Sequence, residues 1–241
     1  MERSTDQSSF TLGIADSARD ATSKLWFATP RGFMDVPLAA LGPDQGTELD
    51  ANFDGFVGHL LEAVEEEARE RCLEAMLAVR FLARMMRNEG MIGCFLGMHF
   101  ADDGTSAASV LTVALRDIEW APPKMTATRA VTLRENSTNV GLLTLPGGLP
   151  AGVSETLVQV PGEGARPTQE LYQCDLYVPS PSGVQLAILN LSTTCTSSRT
   201  YYRQLLEAIA PTVSFTDPTP EIDRAVNGPS AAQNQITSDF G

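Results

Sequence analysis

Histidine is almost missing from this chain: His59 and His99 are the only two in 241 residues. Cysteine is also sparse, and Cys72, Cys94, Cys174 and Cys195 form no C-x-x-C pair. Together these shortages exclude a recognisable zinc site, and the four cysteines read as buried, reduced thiols. Lysine is limited to Lys24 and Lys124, neither in a glycine-rich loop. Gly147-Gly148 and Gly162-Glu163-Gly164 lack the lysine and following helix of a phosphate loop, so they read as turn glycines. No serine sits in a G-x-S-x-G elbow. Positive charge is short overall: 17 Lys and Arg against 30 Asp and Glu give a net charge of −13. Such a surface repels nucleic-acid phosphates and anionic lipid head groups. No run of 18 apolar residues is present, and the first residues lack the apolar core of a secretory signal. A cytoplasmic protein without membrane insertion is the expectation.

The motifs that could carry chemistry are incomplete. Asp50-Ala51-Asn52-Phe53-Asp54-Gly55 matches the first half of a calcium-binding loop, but its twelfth position is Leu61 where a bidentate glutamate is needed. The segment reads instead as the cap of a helix. His59 has no second histidine at zinc-protease spacing, and His99 lies in a strand with no nucleophile or orienting acid beside it in sequence. Asp102-Asp103 precede Gly104 in a hairpin-type turn, where carboxylates face water. No catalytic, cofactor-binding or metal-ligating residue is assigned.

What the chain does have is patterned apolar sequence, 43% of the total. Residues 1–22 and 217–241 are polar and read as disordered tails flanking a single α+β domain over 23–216. Leu25–Thr29 and Phe33–Leu38 read as a hairpin around Pro30-Arg31-Gly32. Apolar residues at three- and four-residue steps from Phe56 to Met86 predict a long helix over 54–89, with a break near Glu65–Arg71. Strands follow at Ile92–Phe100 and Ser109–Leu115, with a short helix at Met125–Arg134. In the second half, Val140–Leu145 and Gly152–Val160 flank Gly147-Gly148. Tyr172, Cys174, Leu176 and Val178 alternate with Gln173, Asp175 and Tyr177, and Pro179–Gly183 turns the chain into the apolar run Val184–Leu191. Tyr202, Leu205, Leu206 and Ile209 make one stripe of a closing helix, and Val213–Phe215 can add a last edge.

The segments LLTLPGGLPAGVSE (142–155), LYQCDLYVPSPSGVQLAILNLSTTC (171–195) and YYRQLLEAIAPTVSF (201–215) resemble PsbP-like domains of the actinobacterial type. LWFATPRGFMDVPL (25–38) corresponds to the opening hairpin of that family. The resemblance implies an antiparallel sheet flanked by helices, an α-β-α sandwich. It also implies a mostly non-enzymatic adaptor or chaperone-like role, with no catalytic set to carry over.

The expected function is therefore a non-catalytic module that binds a partner protein or peptide and needs no cofactor. The adaptable methionines Met76, Met85, Met86, Met91 and Met98 motivate it. A structural subunit of a larger assembly is the first alternative. An enzyme or small-ligand binder whose site forms only in three dimensions is the second.

Overall fold

The structure, a computed structural model, describes residues 11–14, 22–36, 90–100, 106–134, 136–160 and 168–218, together with Gly55, Val57, Gly58, Leu61, Glu62, Glu66, Arg69 and Leu73. Its strands are β1 (Leu12–Ile14), β2 (Ala28–Pro30), β3 (Phe33–Asp35), β4 (Met91–Phe100), β5 (Ser106–Asp117), β6 (Ser137–Thr144), β7 (Pro150–Val160), β8 (Gln169–Pro179) and β9 (Gln185–Thr193). Two α-helices are described over their full length, α1 (Pro123–Thr132) and α2 (Arg199–Ile209).

Seven strands form one antiparallel sheet in the order β3-β4-β5-β9-β8-β7-β6. The hairpins β4–β5, β6–β7, β7–β8 and β8–β9 are neighbours in sequence, which antiparallel pairing favours. The connection from β5 through α1 to β6 is the exception. It carries the chain across the sheet and leaves β5 free to pair with β9.

The alternation in β8 decides both faces. Tyr172, Cys174, Leu176 and Val178 are buried with the α2 stripe of Tyr202, Leu205, Leu206 and Ile209. The residues between them point the other way, where Tyr177 joins Val131 of α1 and Leu186. Hence α1 and α2 lie on opposite faces. The tight β8–β9 turn needs Gly183, whose φ is +74°; a Cβ there would meet the Ala121 carbonyl oxygen.

The expected fold class, an antiparallel sheet flanked by helical layers in an α-β-α sandwich, is corrected by this architecture. The sheet dominates, and α1 and α2 have only 10 and 11 residues. Each is about 15 Å long, against a width of about 29 Å for seven strands. On the α2 side, extended chain adds cover among the described residues: Leu25, Trp26 and Phe27 are buried in the same core, and Phe27 meets the Phe95 ring edge-on at 5.7 Å. A Trp26–Ser214 bridge ties this segment to the region after α2. Most of the helix expected over 54–89 lies outside the described residues, although Gly55, Val57, Leu61, Glu66, Arg69 and Leu73 are helical.

Three local expectations change as well. The hairpin expected between Leu25–Thr29 and Phe33–Leu38 does not pair with itself: β2 pairs with β1, and β3 pairs with β4. The segment expected as an N-terminal tail contains β1. Pro123 opens α1, since proline at the first helical turn loses no needed hydrogen bond.

The sheet approaches α1 closely at Gly152. A Cβ there would lie 2.6 Å from Val131 Cγ1 and 2.8 Å from the Ala127 carbonyl oxygen. Gly152→Ala must push the helix backbone at Ala127 as well as the Val131 side chain. It is expected to destabilise the fold by about 1–3 kcal/mol in urea titrations followed by circular dichroism.

Candidate functional site

The most distinctive local geometry is where β6 begins. The β6–β7 ladder spans Thr144↔Pro150 to Ser137↔Thr156, with an irregularity between Ser137 and Asn139. β7 continues to Val160. On its β6 side, Leu157–Gln159 therefore have no strand neighbour among the described residues. The local cause is the turn out of α1. The helix is closed by the Leu133 N–H bonding to the Arg129 carbonyl, and Asn136 then adopts φ +62°, a left-handed conformation that asparagine tolerates. That turn delays the start of β6. It leaves a groove of about 460 Å³ lined by Leu133, Arg134, Asn136, Thr156, Leu157, Val158, Gln159 and Gln173.

One cation sits in this groove. Arg134 Nη2 lies 3.1 Å from Asp175 Oδ2 and donates to Gln173 Oε1 at 3.3 Å. Asp175 is only 3% exposed. Its other oxygen accepts from Asn190 Nδ2 at 2.7 Å, and Ser192 Oγ donates to Asn190 Oδ1 at 2.6 Å. Burial pushes the Asp175 carboxyl above its ordinary range, while the Arg134 charge and the Asn190 amide oppose that rise. Thr156 Oγ1, on the groove wall, is buried without a hydrogen-bond partner among the described residues.

A second polar cluster lies on the opposite face. Glu155 accepts from Tyr172 Oη at 2.8 Å and from Asn139 Nδ2 at 2.8 Å, and it pairs with Arg203 of α2. Arg203 also holds Glu207 at 2.9 Å, one helical turn on. This cluster clamps α2 to β7 and β8. A second depression of about 510 Å³ lies beside Lys24, Phe27, Ile92 and Gln185.

Among the described residues, none of the motifs weighed in the sequence lines the groove or belongs to the second polar cluster. Gly147 and Gly148 have φ of +75° and +78° in the turn between β6 and β7, a conformational role. His99 lies in β4. His59, Asp102, Asp103, Gly162, Glu163 and Gly164 are outside the described residues, as is Asp50–Asp54. Met91 and Met98 are half-buried, whereas Met76, Met85 and Met86 are outside the described residues. Among the described residues, no three His, Cys, Asp or Glu side chains converge as metal ligands. Sequence reasoning missed Arg134, Thr156, Gln173 and Asp175. The available signal was Asp175 itself: a carboxylate between Cys174 and Leu176 in a strand buried on both faces requires a partner.

The cysteines also divide. Cys94 and Cys174 are fully buried, and burial pushes both thiols up to about 12. Cys195 is half-buried at the approach to α2. Burial raises its thiol, but hydrogen bonding with Ser197 and Ser198 outweighs that and leaves it below the ordinary value. The expectation of uniformly buried thiols therefore fails at Cys195.

No protein-family model matches the chain, and no curated protein matches it significantly.

Two predictions follow from these environments. Native Asp175 holds its proton to higher pH than the unfolded chain, so its contribution to stability is complete below the ordinary carboxyl value of 3.8 and is lost as pH rises through its raised native value. Asp175→Asn is expected to raise the melting temperature near about pH 8, with the gain shrinking towards about pH 4. A constant difference across that window contradicts burial as the dominant cause. In native alkylation with iodoacetamide read by peptide mass spectrometry, Cys195 should label well before Cys94 and Cys174; equal rates contradict the assignment.

Proposed function

We propose that the chain is a non-catalytic protein-interaction module that accepts an extended segment of a partner onto the stretch of β7 edge that has no neighbour among the described residues, in line with β6. The observation carrying this reading is the mismatch in strand length: Leu157–Gln159 border a groove where the β6 ladder has stopped. An unpaired edge offers backbone donors and acceptors in ready-made register, and side-chain pockets beside it supply selectivity. Leu133, 78% exposed, lines the groove, and the exposed apolar Val140 and Leu142, at 50% and 49%, lie farther along β6 opposite Ser154 and Gly152. None of the residues in β6 is charged, in a chain of net charge −13, so charge does not protect this edge from pairing. The resemblance of 142–155 and 171–195 to PsbP-like domains adds support, since the adaptor role it implies needs a surface of this kind. Among the described residues, no helix is long and apolar enough to cross a membrane.

The test is co-purification from the native host at native abundance. A stoichiometric partner is expected, and the exposed-site double variant Leu133→Lys/Leu142→Lys should weaken it by at least about tenfold without lowering the melting temperature. Full-affinity binding by that variant contradicts the location of the site. Recovery of the chain alone contradicts the function.

A further inference from the structure

The direction of β7 and the turn at Asn136 restrict which segment can lie in this groove. In the β6–β7 ladder, partner numbers fall as β7 numbers rise: Val140 faces Ser154 and Ser137 faces Thr156. A segment antiparallel to β7 therefore passes Gln159, then Val158, then Leu157 in its own N-to-C direction. Its next position is opposite Thr156, where Ser137 already sits. Such a segment must stop opposite Leu157, with its last carbonyl carbon against the α1–β6 turn that carries Arg134 and Asn136.

The chemistry at this dead end suits a terminus of negative charge. Arg134 is held in place through Nη2 by Asp175 and Gln173, while Nε and Nη1 donate to no group among the described residues. A guanidinium fixed on one side and open on the other is prepared for a second carboxylate. Thr156, which is 4% exposed, adds a buried hydroxyl with no hydrogen-bond partner among the described residues on the same wall. None of the described lining residues is acidic, although the chain as a whole carries an excess of acid. The apolar Leu133 and Val158 supply contacts for the segment's side chains.

We infer that the groove binds the free C-terminal carboxylate of an extended partner tail, with Arg134 as the group that recognises it. This inference rests on the strand-addition reading above. It goes further by naming which part of the partner enters and what ends the added strand.

The test uses two fully degenerate heptapeptide pools that differ only at the C-terminus, one ending in a free carboxylate and one in an amide. Both are passed over the immobilised full chain, and retained peptides are quantified and sequenced. The free-acid pool should be retained at least about tenfold better. The preference should shrink in Arg134→Lys, which keeps the charge but loses the fork, and as salt is raised. It should vanish in Arg134→Gln. Because that change strands the buried Asp175, the double variant Arg134→Gln/Asp175→Asn is measured beside it and should lose the preference too. Equal retention of both pools, abolished by Leu133→Lys/Leu142→Lys, overturns carboxylate recognition and leaves strand addition standing. Retained amide peptides that share an internal Asp or Glu overturn the C-terminal assignment in favour of an acidic side chain. Retention of neither pool overturns both readings.

Discussion

The pairing of β8 with β9 in the middle of the sheet is the constraint from which the rest of the molecule is built. These strands are buried on both faces, so their side chains must satisfy two cores at once. On the α2 side that requirement is met mainly by apolar residues, Cys174, Leu176 and Val178 against Leu189 and Leu191, with the Tyr172 hydroxyl bonded to Glu155. On the other side the directly paired residues Asp175 and Asn190 bring polar groups into the interior. A buried carboxylate without partners is too costly to keep, and the local structure is arranged around supplying them.

Each face solves this problem with an arginine delivered from helical sequence. Arg134 follows α1 and reaches Asp175, and Arg203 within α2 reaches Glu155. The two carboxylates sit on adjacent strands but point to opposite faces, so one sheet is locked to two different segments by two separate ion pairs. The outcomes differ in solvent access. Arg203 is also engaged by Glu207, whereas Arg134 stands at a groove mouth with 38% of its side chain exposed. An ion pair that has an open side can hold the structure together and still present a donor to a ligand.

Much of the second half of the fold was legible. The alternation of Tyr172–Val178 and the apolar run to Leu191 correspond to β8 and β9, and the Tyr202–Ile209 stripe is the buried face of α2. These segments are readable because each side chain's environment follows from its own period of two or 3.6 residues. The order of strands was not legible in the same way: β5 pairs with β9 across some 70 intervening residues that include α1 and three strands. Nor was the extended cover of Leu25–Phe27, which reads as a strand locally but packs as a lid over the α2 face. The candidate site was hidden for a related reason. Arg134 and Asp175 are 41 residues apart, and nothing local to either announces the other.

The sequence alone settled which stretches alternate, where glycine and proline must turn the chain, and which charge the surface carries, since these depend on neighbouring residues and on composition. Tertiary structure decided how far β6 extends along β7, and therefore that, among the described residues, β7 outruns its neighbour beside a held arginine. Ladder length depends on where the α1–β6 turn releases the chain, a balance of helix end, left-handed asparagine and sheet packing that no single segment encodes.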